Sequence, residues 1–196
     1  MQKLFNITNE TDHIVKIELV NGKKHNPLSL ELIKDLTNSL IQISSQKKVK
    51  VLIISSEGPG FSAGHDLDEL RKNKNNKKFF NELFNECSNL MQTIMNLPQP
   101  VIAEVCGIAA AAGCQLVASC DLAVASEQAA FMTPGVNIGL FCSTPMVAVS
   151  RNLSRKKIME MLLTGEKLSA KDAVDYGLIN HCVPPVSYTH LRAHET

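Results

Sequence analysis

The stretch from Gly107 to Leu116, Gly-Ile-Ala-Ala-Ala-Ala-Gly-Cys-Gln-Leu, constrains the fold of this chain more than any other segment. It follows the apolar run Val101–Val105 and precedes Ser119-Cys120-Asp121. A strand that bends at a glycine and passes at once into a helix of small residues leaves the first N–H groups of that helix unpaired and sterically open. Two readings fit: a close helix–strand crossing, or a helix end that meets developing negative charge on a ligand oxygen. The segment Phe61-Ser62-Ala63-Gly64-His65-Asp66-Leu67 repeats the pattern, after the strand-like run Val49–Ile54 and the loop Gly58-Pro59-Gly60. Two such loops can hold one oxygen between two backbone amides, which favours the ligand reading.

Periodicity supplies the frame around these loops. Ile14–Leu19 alternates as a strand, and Asn21-Gly22 signals a turn. Asn26-Pro27 is expected to open a helix, with Asn26 as cap, Pro27 at its first position, and Leu28, Leu32, Leu36, Leu40 and Ile43 along one stripe. Phe79–Met95 reads as a second amphipathic helix and Leu122–Ala125 as a short strand. Ser169-Ala170-Lys171-Asp172 resembles a capping box that opens a short helix, which Gly177 stops. The alternation is α/β, and periodicity alone leaves an open doubly wound sheet and a spiral both standing.

The 196 residues and 44% hydrophobic content suit one domain with a sizeable core. With 20 basic and 19 acidic residues, the net charge of +1 favours neither nucleic acid nor a membrane surface as partner. The run Arg71–Lys78 is the basic exception, read as a solvated loop before a helix. No apolar run approaches the ~20 residues of a membrane span, and no secretory or Arg-rich leader is visible. The expectation is a soluble protein of the cytoplasm, or of the mitochondrial matrix in a eukaryote. Cys87, Cys106, Cys114, Cys120, Cys142 and Cys182 lack C-x-x-C spacing and read as reduced, mostly buried thiols. No metal site is expected; His190 and His194 sit in a tail with neither helical stripe nor strand alternation. Residues 184–196 are expected to be disordered and non-native, following a core domain of residues 1–183.

Six motifs in order carry a resemblance to the crotonase (enoyl-CoA hydratase/isomerase) superfamily. They are His25-Asn26-Pro27-Leu28, Phe61–Leu67, Pro100–Ala103, Gly107–Asp121, Pro134–Gly139, and Leu163-Thr164-Gly165 with Ala173–Ile179. The resemblance implies a spiral of repeated β-β-α units that binds acyl-CoA thioesters, with coenzyme A entering as part of the substrate and no other cofactor. It further implies a homotrimer or dimer of trimers, weakened here by lack of the family's usual C-terminal helices.

By motif, the two donors to the thioester oxygen fall on the backbone N–H groups of His65 and Ala112. The second replaces the middle glycine of the family's triplet, and its amide is retained if φ stays negative. The hydratase branch's two glutamates fall on Gln115 and Gly135; glutamine orients water without titrating, and glycine offers no side chain. Restoring both glutamates is therefore expected to raise hydration, unless Gly135 has positive φ. Cys142 is a weak polar candidate, more readily an inert small residue than a nucleophile. The His65 imidazole is expected at the pocket rim, and Asp66 as a helix cap. Coenzyme A is expected along Ala63, His65, Asp66 and Leu67 and beside Ala112, with Lys24 near a phosphate, although Lys23-Lys24-His25 equally describes a solvated turn. Glu104 and Glu127 read as surface or structural acids, and Asp121 as structural. The expected function is stabilisation of a thioester enolate or oxyanion in a reaction other than two-glutamate hydration: isomerisation, decarboxylation or thioester hydrolysis. The alternative is a non-catalytic acyl-CoA binding or interaction protein.

Overall fold

The computed structural model describes residues 3–184. The expectations for residues 185–196 lie outside them. In chain order the strands are β1 (Phe5–Asn9), β2 (Ile14–Leu19), β3 (Val51–Ser56), β4 (Gly60–Ser62), β5 (Val101–Val105), β6 (Ile108–Ala110), β7 (Leu122–Ser126), β8 (Ala130–Met132), β9 (Leu168–Ser169) and β10 (His181–Val183). The α-helices are α1 (Leu30–Ser44), α2 (Leu67–Lys72), α3 (Lys77–Asn96), α4 (Ala112–Ser119), α5 (Ser143–Val149), α6 (Arg155–Thr164) and α7 (Ala170–Asp175), with 3₁₀ turns at Gly22–Lys24 and Pro134–Ile138.

From β3 to β8, successive strands fall alternately into two sheets. One has the order β1-β2-β3-β5-β7-β10 and is parallel except for β1; the other is β4-β6-β8-β9, antiparallel only at β9. Ile53 pairs with Ile102 and Ile102 with Leu122, so each turn of chain stacks on the last. Within a turn the chain crosses the first sheet, then the second, then returns through helix: β3-β4-α2-α3, then β5-β6-α4, then β7-β8-α5-α6. This is the expected β-β-α spiral. The turns carry helices of unequal number and length, from the 6 residues of α2 to the 20 of α3, so no repeat shows in the sequence.

The core lies between the first sheet and the helices. Ile17, Leu52, Ile54, Val101 and Ala103 pack with Leu32, Leu36 and Leu40 of α1, Leu83, Leu90 and Ile94 of α3, and Phe61 and Phe131 of the second sheet. One correction concerns the start of α1. The cap is Ser29, whose side chain accepts from Leu32 N–H at 3.2 Å, and not Asn26. Leu28 instead donates its N–H to Gly64 O at 2.8 Å. This tertiary bond holds residues 26–28 out of helical geometry, while the leucine stripe beyond them survives. The β3 strand also starts at Val51 rather than Val49. Asp121 is structural as expected, its Oδ2 accepting from Val101 N–H at 2.8 Å.

Candidate active site

Two loops at the ends of neighbouring strands in the second sheet form the site. The first runs from β4 through Ala63-Gly64-His65-Asp66 into α2, and the second from β6 through Ala111 into α4. Their closeness depends on two glycines. A Cβ on Gly113 would lie 2.3 Å from Ser62 O, so α4 can meet β4 only with hydrogen at that position. Gly64 has φ +88, and a Cβ there would lie 3.0 Å from Ala110 O and 3.1 Å from Ala112 N. Gly64, the residue before His65, thus lies against the amide of Ala112. Among the described residues, neither the N–H of His65 nor that of Ala112 has an acceptor in the protein. Unpaired amides of this kind at a helix start are electropositive and suited to a carbonyl oxygen.

Ala112 has helical backbone, so its N–H is retained at negative φ. The strain sits one residue earlier: Ala111 is held at φ 49, ψ −119, a region that alanine rarely occupies. It is fixed on both sides, because Ala111 N–H donates to Met132 O at 2.9 Å and its carbonyl accepts from Gln115 N–H at 3.0 Å. Sequence reading missed this, since Ala-Ala-Ala-Ala gives no local sign of left-handed backbone.

The segment expected to open α1 is a clasp for the first loop. Asn26 is fully buried with φ 49, and its Nδ2 donates to Glu57 O at 3.0 Å and Gly60 O at 2.8 Å while its Oδ1 accepts from Asn21 N–H at 2.8 Å. Ser62 Oγ donates to Asn26 O at 2.8 Å, and Ala63 N–H to His25 O at 2.8 Å. The paired loop therefore rests on a hydrogen-bonded layer whose donors and acceptors are mostly backbone.

The half-buried His65 packs its ring edge-on against Phe84 of α3, with centroids 5.5 Å apart, and its Nδ1 is buried without a partner among the described residues. Burial pushes its pKa below the usual histidine value, against the opposing pull of the Leu28 backbone. Asp66 caps α2, Oδ1 accepting from Asp68 and Glu69 N–H. Ala63, Leu67 and Lys24 are exposed around the loop.

On the far side of Ala112, Gln115 and Thr133 are buried, and neither Gln115 Oε1 nor Thr133 Oγ1 has a partner among the described residues. Gly135 lies in the 3₁₀ turn with φ that is not positive, yet a Cβ there would fall 2.7 Å from Cys142 Sγ and 2.8 Å from Leu140 O. Cys142 Sγ also accepts from Gly135 N–H at 3.3 Å. The thiol thus occupies the room in which a side chain at position 135 would begin. Burial raises the pKa of Cys142 and pushes neighbouring Cys114 up to about 12, so both remain thiols. Cys106, Cys120 and Cys182 are only half-buried, and all six cysteines are free.

Glu104 lies apart from this site on the first sheet, 3.3 Å from Lys16, where burial and the charges of Glu10 and Glu18 push its carboxyl up to about 7. Among the described residues, no cluster of three His, Cys, Asp or Glu side chains is placed to hold a metal. None of their helices is long and apolar enough to cross a membrane.

Stacked β-β-α turns that converge on two crossed, amide-lined loops define a protein of the crotonase fold. Residues 9–193 match the family model Enoyl-CoA hydratase/isomerase, and the chain belongs to that family. It is 52% identical over 175 residues to human enoyl-CoA hydratase domain-containing protein 3, mitochondrial, covering 89% of this chain and 57% of that protein. A probable enoyl-CoA hydratase of Bacillus subtilis is 31% identical over 86% of this chain and 66% of its own length. Among solved structures, the human domain-containing protein 3 superposes with a TM-score of 0.93 at 47% identity, over 97% of this chain and 75% of that one. A Mycobacterium smegmatis enoyl-CoA hydratase superposes at 0.94 with 41% identity, over 98% and 74% respectively. The chain spans 57–60% of the length of the domain-containing protein 3 relatives.

Proposed function

We propose that this protein binds an acyl-CoA thioester and polarises its carbonyl between the N–H groups of His65 and Ala112, driving a reaction that does not depend on two glutamates. The observation that carries the reading is the pair of unpaired amides, held together by the close approach at Gly64 and Gly113. A preorganised donor aimed at a developing oxyanion lowers a barrier by ~3 kcal/mol. Gln115 and Gly135 stand where the hydratase pattern places its acids. The packing of Cys142 and Leu140 O against Gly135 speaks for a site shaped around the absence of that second side chain. Enolate formation by isomerisation or decarboxylation, or thioester hydrolysis, fits an oxyanion hole without paired carboxylates.

Coenzyme A would run past Ala63, His65, Asp66 and Leu67, with exposed Lys24 within the same loop region for a phosphate. Association of three copies is supported by exposed Val136, Ile138, Leu140 and Phe141 on and after the 3₁₀ turn, and Leu163 on the neighbouring α6. Light scattering that finds only monomer at high concentration would remove that part. A matrix location is supported by the mitochondrial designation of the domain-containing protein 3 relatives. Turnover of enoyl-, malonyl- and saturated acyl-CoA esters, measured beside binding, tests the whole reading. Turnover of at least one ester supports catalysis, binding without turnover supports a recognition protein, and no binding refutes acyl-CoA recognition.

A further inference from the structure

β1 is an outer edge of the first sheet. It pairs antiparallel with β2 on one side, Ile7 opposite Ile17, and its other side is open among the described residues. Leu4 O accepts from Val20 N–H at 3.2 Å and Glu10 N–H donates to Ile14 O at 2.9 Å, so the even-numbered residues here turn their N–H and C=O groups to β2. By alternation Phe5, Ile7 and Asn9 turn theirs outward. Folded proteins ordinarily protect such an edge by keeping it short or by placing lysine, proline or a bulge on it. The other sheet edges, β10, β4 and β9, have only 3, 3 and 2 residues. β1 has 5, carries no charge and no proline, keeps an unbroken register with β2, and leaves Ile7 46% exposed.

We propose that β1 pairs with β1 of a second copy of this chain, antiparallel across a two-fold axis at Ile7, joining the two six-stranded sheets into one. The strand is self-complementary in that register. Ile7 lies opposite Ile7 of the other copy, and Phe5 and Asn9 lie opposite its Asn9 and Phe5, so the outward N–H and C=O groups of all three residues are paired. On the face that continues from Ile17, each Ile7 covers the other; on the opposite face Asn6 meets Thr8. A slip by one residue would set the apolar face of one copy beside the polar face of the other. Charge is matched as well, because Lys3 comes alongside the acidic turn Glu10-Thr11-Asp12 of the other copy. A contact of this length gives a reversible, concentration-dependent pair. It lies on the first sheet, away from the two amide loops, and does not rest on the acyl-CoA reading.

The test is sedimentation velocity of the full chain over a range of concentrations, for wild type and Ile7→Lys, with circular dichroism as the check on folding. Wild type should form even-numbered species as concentration rises: two copies, or six where three-fold association is also present. Ile7→Lys sets two like charges opposite each other at the axis and should lose those species while keeping the fold. Wild type that stays monomeric or purely trimeric overturns the pairing, and so do even-numbered species that persist in folded Ile7→Lys. Cysteine variants read the register independently, and decide the matter alone if Ile7→Lys does not fold. Opposed Cα atoms at the axis lie about 5.5 Å apart, within disulfide reach. With glutathione disulfide as oxidant, Ile7→Cys should therefore give a cross-linked dimer on a non-reducing gel, well above both wild type and Asn6→Cys. No cross-linking above the wild-type background, or equal cross-linking at positions 6 and 7, overturns the proposal.

Discussion

Substituting Gly113 by alanine attacks the geometry of the site at the approach of α4 to Ser62. The new Cβ would sit 2.3 Å from Ser62 O and 2.8 Å from Ser62 Cβ, and backbone atoms cannot rotate out of the way. Ordinary contact requires α4 and β4 to separate by about 1 Å. Overpacking of this kind costs about 2 kcal/mol, which in a domain of this size lowers the melting temperature by roughly 4–8 °C. Helix propensity acts in the opposite direction, since alanine in a helix interior is favoured over glycine by about 1 kcal/mol. A fall in stability would therefore isolate the steric term. The same separation moves the Ala112 amide away from that of His65, and a misplacement of about 1 Å can cost on the order of 100-fold in a positioned reaction. The assay is differential scanning calorimetry together with affinity and turnover for an acyl-CoA ester that the wild type accepts. Alanine at 113 with unchanged or higher melting temperature and wild-type affinity would refute the reasoning, since the two loops would then not depend on that approach.

Asn26→Ala should be among the most damaging single changes, lowering stability by about 3–6 kcal/mol, because it removes three hydrogen bonds made by a fully buried side chain and puts alanine at positive φ; denaturant unfolding reads this directly. Ala111→Gly should raise the melting temperature by roughly 2–4 °C, relief of about 1–3 kcal/mol of backbone strain outweighing the added freedom of glycine in the unfolded chain. A decrease would mean that the backbone at Ala111 is not strained. The depressed pKa of His65 means that the unfolded chain binds the proton more readily, so its stabilising contribution is complete above the ordinary value of 6.5 and is lost as pH falls through the lower folded value. His65→Gln should accordingly flatten the acid limb of a melting-temperature profile; an unchanged limb would place the acid sensitivity elsewhere. Gln115→Glu with Gly135→Glu should fold less stably and show no gain in crotonyl-CoA hydration, since the Cβ at 135 meets Cys142 Sγ and Leu140 O. A folded double variant with increased hydration would contradict the steric argument.

The sequence carried the large elements and the two amide loops, because each has a local physical signature. Leucines at helical spacing mark α1 wherever it begins, and the β-branched runs of β3 and β5 are long enough to read. The second sheet was harder to see, since strands of two or three residues such as β4, β6, β8 and β9 show no periodicity. The backbone of Asn26 and Ala111 is set by partners at residues 57, 60 and 132, none of which local propensity reveals. The ring contact of His65 likewise depends on Phe84, on a helix 2 elements later in the chain. For Gly135, the absence of a side chain was legible, but its reason was not. Only the fold brings Cys142 Sγ into the space a larger residue would need.

The central claim is that the amides of His65 and Ala112 grip one carbonyl oxygen, and the carbonyl stretch of a bound thioester reports that grip directly. Isotope-edited infrared difference spectroscopy of a ¹³C-carbonyl acyl-CoA, free and bound, should show the thioester band moving to lower wavenumber on binding, as two aligned donors weaken the C=O bond. Gly113→Ala should return the band most of the way toward its position in water. A bound thioester whose carbonyl band stays at the free position in the wild type would contradict the account.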